Sequence, residues 1–340
     1  MDERYSRQIL FSKIGKDGQA KIRQKHVLLV GAGALGSANA EMLTRAGVGK
    51  LTIVDRDYVE ESNLQRQQLY TEEDVTEKLP KAEAAKKHLL AINKEVEVQA
   101  VVMDGTAAAL ESMLTDVDLI IDATDNFETR MVINDLSQKW DIPWIYGACV
   151  GSVGMSFTII PGHTPCLSCL LQTVPIQGMT CDTGGIIGPA VQMVVAHQSA
   201  EALKILSGNI EAIRTSFVSF DVWENQFHSF KVSKMKKESC LSCGTKREYP
   251  FLKIENATKT AVLCGRDTVQ VRPSAPIELS LEKLAEDAEK FGCKVKRNPF
   301  LVSIEMKGER MVVFPDGRAL IHGTKDTTHA KSIYQRIVGA

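Results

Sequence analysis

His26-Val27-Leu28-Leu29-Val30-Gly31-Ala32-Gly33-Ala34-Leu35-Gly36 is an apolar run that ends in a G-x-G-x-x-G hexapeptide. The run reads as a short buried strand. Residues 37–46, with Ala40, Leu43 and Ala46 among their apolar positions and Gly47 as a stop signal, read as the helix that follows. Between such elements, backbone N–H groups and the helix N-terminus can face a phosphate, and the glycines allow close approach. Leu51-Thr52-Ile53-Val54 is a second strand, closed by Asp55, 19 residues after Gly36. A carboxylate there can accept ribose hydroxyls. A glycine-rich turn with a capping aspartate is the plainer reading, but strand, helix and aspartate in register argue against it. No G-x-x-x-x-G-K-[ST] loop is present, which excludes P-loop chemistry.

The alternation continues. Residues 81–92 read as a helix, 96–102 and 119–121 as strands, 129–139 as a helix and 144–146 as a strand. Strands apolar throughout and spaced by helices predict an α/β fold, a Rossmann-like doubly wound, mostly parallel sheet. From Gly151 the pattern changes. Residues 157–161 read as a strand, 178–188 as a polar glycine-rich stretch, and 189–206 as a long apolar helix opened by Pro189. Residues 216–220 and 226–232 then form an antiparallel extension. A boundary near Tyr249-Pro250 separates a nucleotide-binding domain, 1–249, from a small C-terminal α+β module, 250–340. In the module, 260–271, 300–306, 311–314 and 318–322 read as strands, with a turn at Pro315-Asp316-Gly317. Leu281, Leu284, Ala285, Ala288 and Phe291 mark one helix, and 330–338 another. The module carries no catalytic signature.

The net charge of −1 lacks the basic face of a nucleic-acid binder. No apolar run approaches the ~18 residues that span a bilayer, and Met1-Asp2-Glu3-Arg4 leads into no secretory core. The expectation is a cytoplasmic protein with neither nucleic acid nor membrane as partner. Of eight cysteines, four form the pairs Cys166-Leu167-Ser168-Cys169 and Cys240-Leu241-Ser242-Cys243. In a reducing compartment two matching pairs favour a closed tetrahedral zinc site over a redox couple. With 70 residues between the pairs, the metal would close a long loop. Cys149, Cys264 and Cys293 sit beside apolar runs and read as small buried residues.

What surrounds the glycine loop decides which nucleotide it serves. Ser62-Asn63-Leu64-Gln65-Arg66-Gln67-Gln68-Leu69 is too polar for a site that holds a nicotinamide ring. Lys81 opens a helix after Pro80, and Asp125-Asn126 follows a strand at the edge where ligands of such sheets bind. Together they offer two cations for phosphates and a carboxylate for Mg²⁺. Singly, Arg66 and Lys81 read as surface ion-pair partners and Asp125-Asn126 as a helix cap. As a set at one sheet edge they read as a triphosphate site.

At this point the chain resembles a family. Arg4-Tyr5-Ser6-Arg7-Gln8, the loop from Gly31 through Gly33 and Ala34 to Gly36, Asp55, the run Ser62, Asn63, Leu64, Gln65 and Arg66, Lys81, Asp125-Asn126 and both cysteine pairs resemble the ThiF/MoeB/HesA branch of the ubiquitin-activating-like adenylyltransferases. The match covers residues 1–249. The family often has glycine where this chain has Ala34. The resemblance implies ATP-dependent adenylylation of the C-terminal glycine of a ubiquitin-like sulfur-carrier protein ending in Gly-Gly. It implies Mg²⁺ and structural Zn²⁺, a sulfur donor of cysteine desulfurase or rhodanese type, and a homodimer in which Arg7 reaches the partner's nucleotide. The carrier is that of thiamine thiazole synthesis or of molybdopterin, with the loop cysteine Cys181 favouring thiazole.

Two rival classes fit the residues less well. An NAD-dependent oxidoreductase would need a Tyr-Lys pair or a catalytic His, and none stands out. A non-catalytic scaffold would lack Arg66 or Asp125, and both are present. For Thr180-Cys181-Asp182-Thr183-Gly184-Gly185 the resemblance implies a thiol that attacks the acyl adenylate or joins the carrier in a persulfide-linked intermediate; the plainer reading is an inert loop residue. If it acts only after adenylation, Cys181→Ser leaves carrier-dependent ATP–pyrophosphate exchange intact. Loss of exchange in that variant would place the thiol in the first step.

Overall fold

A computed structural model describes residues 3–171, 184–253, 260–263 (backbone only), 267–273, 277–306 and 308–338. The chain divides into two compact units, Met1–Lys253 and Ile254–Ala340. Cys181 and Cys264 lie outside the described residues.

The first unit opens with α1 (Ser6–Leu10) and α2 (Gly15–Ile22), then β1 (His26–Val30), α3 (Ala34–Ala46) and β2 (Lys50–Asp55). There follow α4 (Glu72–Thr76), α5 (Lys81–Ile92), β3 (Glu97–Val102), α6 (Ala107–Glu111), β4 (Leu119–Asp122), α7 (Phe127–Trp140) and β5 (Trp144–Val150). The unit closes with β6 (Val153–Ile159), α8 (Leu167–Leu171), α9 (Gly188–Ser207), β7 (Ser216–Asp221) and β8 (Gln226–Lys231). The eight strands form one sheet in the order β3-β2-β1-β4-β5-β6-β7-β8. Pairing is parallel from β3 to β5 and antiparallel from β5 to β8. This is a doubly wound sheet with an antiparallel extension, as the alternating sequence predicts.

Alternation along the strands builds two cores. Val27 and Leu29 of β1 face a layer with Leu43 of α3, Leu89 of α5 and Val194 of α9. Leu28 and Val30 face the opposite layer with Met131 and Leu136 of α7, Trp144 and Phe157. Burying both faces requires every strand residue to be apolar or satisfied. The buried Gln198 of α9 meets that requirement as a bridge. Its Oε1 accepts from Asn39 Nδ2 of α3 (2.8 Å), and its Nε2 donates to the carbonyls of Asp122 (2.8 Å) and Ile145 (3.2 Å).

Close approach at the end of β1 sets the glycine loop. Gly31 has φ +95°, and a Cβ there would stand 2.5 Å from the Ala123 carbonyl oxygen just past β4. A Cβ on Gly36 would stand 1.9 Å from the Gly31 oxygen. The first turn of α3 can therefore pack on the loop only without a side chain at Gly36. Helix α3 begins at Ala34, with Gly33 as its N-cap, three residues earlier than the apolar periodicity suggests. Helix α7 likewise starts at Phe127, because Asn126 Oδ1 accepts the Thr129 N–H (2.8 Å) and caps it.

The second unit holds β9 (Thr260–Leu263), β10 (Thr268–Val271), α10 (Leu281–Lys290), β11 (Lys294–Arg297), β12 (Val302–Glu305), β13 (Arg310–Val313), β14 (Ala319–His322) and α11 (Thr327–Val338). Its sheet is antiparallel in the order β11-β12-β13-β14-β10-β9. Val269, Val302, Ile304, Met311 and Ile321 share a core with Leu284 and Ala288 of α10 and Ile333 of α11. The stretch 260–271, read above as one strand, is two strands paired with each other. Strand β11 escaped the sequence reading because Lys294-Val295-Lys296-Arg297 is mostly basic. It forms the exposed edge of its sheet, where charge discourages further pairing. Among the described residues no helix is long and apolar enough to cross a membrane.

Substituting Gly36→Ala should destabilise the first unit by about 1–3 kcal/mol, because the new methyl must push α3 off the loop. Thermal unfolding of the full chain measures this. An unchanged midpoint would show that the contact is slack.

Candidate active site

The strand order reverses between β1 and β4, and ligands of such sheets bind outside the strand ends at that point. The glycine loop forms one wall. A Cβ on Gly33 would meet nothing nearer than Gln67 Nε2 at 3.9 Å, so this part of the loop is open where Gly31 and Gly36 are packed. Asp55, at the end of β2, straps the loop from below. Its Oδ2 accepts the Ala32 N–H (2.6 Å) and its Oδ1 the Asp57 N–H (2.6 Å). Burial pushes the Asp55 carboxyl above its usual range, and the Lys81 charge opposes that push. Each oxygen keeps a second acceptor site for a sugar hydroxyl.

Lys81 belongs to the same constellation. The buried Tyr70 hydroxyl lies 2.6 Å from the Ala32 carbonyl oxygen and 3.1 Å from that of Lys81, tying the start of α5 to the glycine loop. The Lys81 side chain is only 4% exposed, and its Nζ stands 3.4 Å from Asp57 Oδ2. Arg56 was not singled out in the sequence, yet it lies here, 3.5 Å from Asp104 and 3.9 Å from Asp57. Burial works against its charge, but Asp57, Asp104, Asp125 and Asp55 more than compensate and raise its pKa. The available signal was positional: Arg56 and Asp57 follow directly on the strand-end carboxylate.

The polar run after β2 forms a tight turn. The Arg66 guanidinium donates to the Ser62 carbonyl (2.9 Å), closing the short 3-10 turn Glu61–Asn63. Asn63 is 0% exposed. Its Oδ1 accepts the Glu60 N–H (3.0 Å), while its Nδ2, like the buried Gln67 Oε1, has no partner among the described residues. A buried donor left unpaired costs about 1–3 kcal/mol, and a ligand oxygen would recover that cost. Leu64 packs on the core, Ser62 and Gln65 are exposed, and Gln68 Oε1 accepts from Gln192 of α9 (3.2 Å).

Past β4, Asp122 Oδ1 accepts the N–H (2.9 Å) and hydroxyl (2.7 Å) of Thr124. Asn126 has its Oδ1 committed to capping α7, while Asp125 is exposed and its carboxylate makes no hydrogen bond to the described residues. Arg7 is exposed on α1, which the buried Tyr5 anchors by accepting from Asn93 Nδ2 (2.8 Å). Within the described residues of this chain Arg7 has no polar partner and stands apart from the other site residues. Cys149 is buried, as read from the sequence, but Cys293 is only half-buried. It follows the C-terminal end of α10 and packs against the core of the second unit from its edge.

The four paired cysteines converge. Their Sγ atoms lie within 4.8 Å of one another, with 3.9 Å between Cys166 and Cys169, 3.6 Å between Cys166 and Cys240, and 3.5 Å between Cys169 and Cys243. Tetrahedral zinc thiolates with bonds of ~2.3 Å place sulfurs about 3.8 Å apart, so the cluster can hold a zinc ion. Hydrogen bonds from Cys166 draw the Cys169 and Cys240 thiols down, and sharing with Cys169 pushes Cys166 up. With all four deprotonated, sulfurs this close would need a cation between them. The scaffold is α7: Asn134 Oδ1 accepts the Leu167 N–H (2.7 Å), and Asp135 accepts the Phe251 N–H (2.9 Å) and a bond from Ser242.

The ThiF family model matches residues 5–242. The chain belongs to the ThiF family. Among ThiF-family relatives, the sulfur carrier protein ThiS adenylyltransferase of Bacillus subtilis is 53% identical over 339 residues, covering all of both chains. The molybdopterin-synthase adenylyltransferase of Escherichia coli is 34% identical, over 71% of this chain and 96% of its own. A crystal structure of Escherichia coli MccB with MccA-N7isoASN shares the fold at TM-score 0.63 and 22% identity, over 72% of this chain and 76% of its own. This ThiF-family chain is therefore an adenylyltransferase.

Metal analysis of the purified protein should find one zinc per chain. Cys169→Ser should lose the ion and lower the unfolding midpoint by at least about 5 °C. Metal-free wild-type protein of equal stability would refute a structural metal.

Proposed function

We propose that this chain transfers AMP from ATP to the C-terminal carboxylate of the ubiquitin-like sulfur carrier of thiamine thiazole synthesis and releases pyrophosphate. The observation that carries the nucleotide half is the Tyr70 bridge, which sets the nearly buried Lys81 beside a glycine loop left open at Gly33. The carrier choice is supported by the 53% identity that runs the full length of a ThiS adenylyltransferase, residues 250–340 included. The molybdopterin carrier is the second reading, favoured by a likeness confined to 71% of the chain.

In this reading backbone groups from Gly31 through Gly33 and Ala34 to Gly36 wrap the phosphates, and Asp55 accepts the ribose hydroxyls through its remaining lone pairs. Ser62, Asn63, Leu64 and Gln65 line the nucleotide, with the unpaired Asn63 amide donating to it. Asp125, exposed and without a hydrogen bond, offers the carboxylate oxygens that suit Mg²⁺, and Asn126 could add only the second lone pair of the Oδ1 that caps α7; the ion would supply charge neutralisation at the phosphates. A carboxylate oxygen of the carrier attacks the α-phosphorus, and the bond to the β-phosphate oxygen breaks. Arg66 and Lys81 stabilise the charge on the departing pyrophosphate. No general base is needed, because a terminal carboxyl is ionised at neutral pH. Arg7 acts on the nucleotide of a second protomer, and the neighbouring exposed Leu10 and Phe11 give that contact an apolar surface. Cys166, Cys169, Cys240 and Cys243 hold structural zinc. Cys181 handles the acyl adenylate or the later sulfur transfer.

Carrier-dependent exchange of labelled pyrophosphate into ATP tests the proposal. Exchange is expected with a thiazole-type carrier and not with a molybdopterin-type carrier. Lys81→Met should reduce it about a hundredfold, a barrier increase on the order of 3 kcal/mol. Absence of exchange with both carriers would sink the reading.

A further inference from the structure

We propose that Arg130 is a positioning residue for Asp125 and thereby sets the affinity of the site for the divalent cation that accompanies ATP. The proposal deepens the reading above and rests on its assignment of Asp125.

Arg130 lies one turn into α7 and reaches back over the loop that joins β4 to it. Its Nε donates to Asp122 Oδ2 (3.1 Å), and its Nη2 donates to the carbonyl oxygen of Thr124 (2.6 Å) and approaches that of Gly147 (3.3 Å). The guanidinium stands 5.3 Å from the centroid of the Tyr146 ring, and the side chain is 13% exposed. Such a group is committed within the protein, with little left to contact a substrate. Its contact at Thr124 is to the carbonyl of the peptide bond that leads into Asp125.

The loop is pinned on both sides of Asp125. Before it, Thr124 donates its N–H and its hydroxyl to Asp122, and its carbonyl accepts from Arg130. After it, Asn126 caps α7. The anchors are themselves fixed: Gln198 holds the Asp122 carbonyl, and a Cβ at Gly147 would come within 2.3 Å of that same amide. Only the Asp125 carboxylate among these polar side chains projects without a hydrogen bond. An exposed, preorganised carboxylate is what binding an oxygen-seeking cation requires.

Charge matters as much as geometry. Arg130 is near enough to Asp125 to interact with it electrostatically, yet its nearest carboxylate is the fully buried Asp122. Asp122 neutralises this guanidinium, and Asp57 and Asp104 pair with Arg56, the other arginine that feels Asp125, which leaves the charge of Asp125 available. Without Asp122, Arg130 would itself become the counterion of Asp125 and compete with the metal.

Three variants and two readouts independent of turnover test this: calorimetric ATP binding across a Mg²⁺ titration, and hydrogen–deuterium exchange of amides 123–126. Arg130→Gln should raise the Mg²⁺ midpoint about tenfold and speed exchange in the loop about tenfold, with metal-free ATP binding changed less than twofold. Arg130→Lys keeps the charge but not the forked contacts, so its loop should exchange as fast as in Arg130→Gln, with an intermediate Mg²⁺ midpoint. Asp122→Asn should also raise the midpoint. If Arg130→Gln fails to fold, Arg130→Lys carries the same two comparisons. A wild-type Mg²⁺ midpoint in the folded Arg130 variants, or equal weakening of ATP with and without Mg²⁺, would overturn the proposal alone. Wild-type ATP binding indifferent to Mg²⁺ would overturn the assignment of Asp125 as well.

Discussion

The distance between the end of β1 and the first turn of α3 governs the arrangement of the site. Gly36 must come against the Gly31 carbonyl and Gly31 against Ala123, and side chains at either position would force the elements apart. Because Ala123 begins the loop after β4, this contact also sets where Thr124 to Asn126 run. These two close approaches thus place both walls of the crevice, the glycine loop and the loop that carries Asp125. Asp55 and Tyr70 then fasten the first wall, and Arg130 and Asp122 the second.

Helix α7 joins two parts of the molecule that the sequence presents as unrelated. At its start Asn126 caps it and Arg130 holds the loop behind it; at its middle Asn134 and Asp135 receive the two cysteine turns. The cysteine pairs are separated by 70 residues in the chain, but adjacent positions on one helix gather them. A metal in the cluster would therefore brace the helix that carries the Asp125 loop, without touching nucleotide. Asn134 accepts the Leu167 N–H beside one cysteine turn, and Asp135 accepts from Ser242 of the other and from the Phe251 N–H, so both turns are fastened to one helix.

Much of the first unit was legible because its strands are buried on both faces and its helices are amphipathic, leaving periodicities that sequence alone exposes. The cysteine pairs were legible because metal ligation demands fixed spacing, and Gly31 and Gly36 because their close contacts exclude side chains. Helices α1 and α2 were not read: α1 has no buried residue of its own and depends on Tyr5, just before it, for its place. The stretch 260–271 misled because β-forming residues fill both of the strands it contains.

The sequence by itself determined the doubly wound sheet, the glycine turn after β1 and the pairing of cysteines, since each is written in local pattern or spacing. Only the tertiary structure decided that Arg56 and Asp104 border the Asp55 site, that Arg130 turns inward to Asp122 while Asp125 stays exposed, and that Asn126 serves as a helix cap. The physical reason is that charged side chains carry no periodic signature. Whether an arginine meets water, a ligand or a buried carboxylate depends on which strand ends lie beside it, and strand order is a property of the folded sheet.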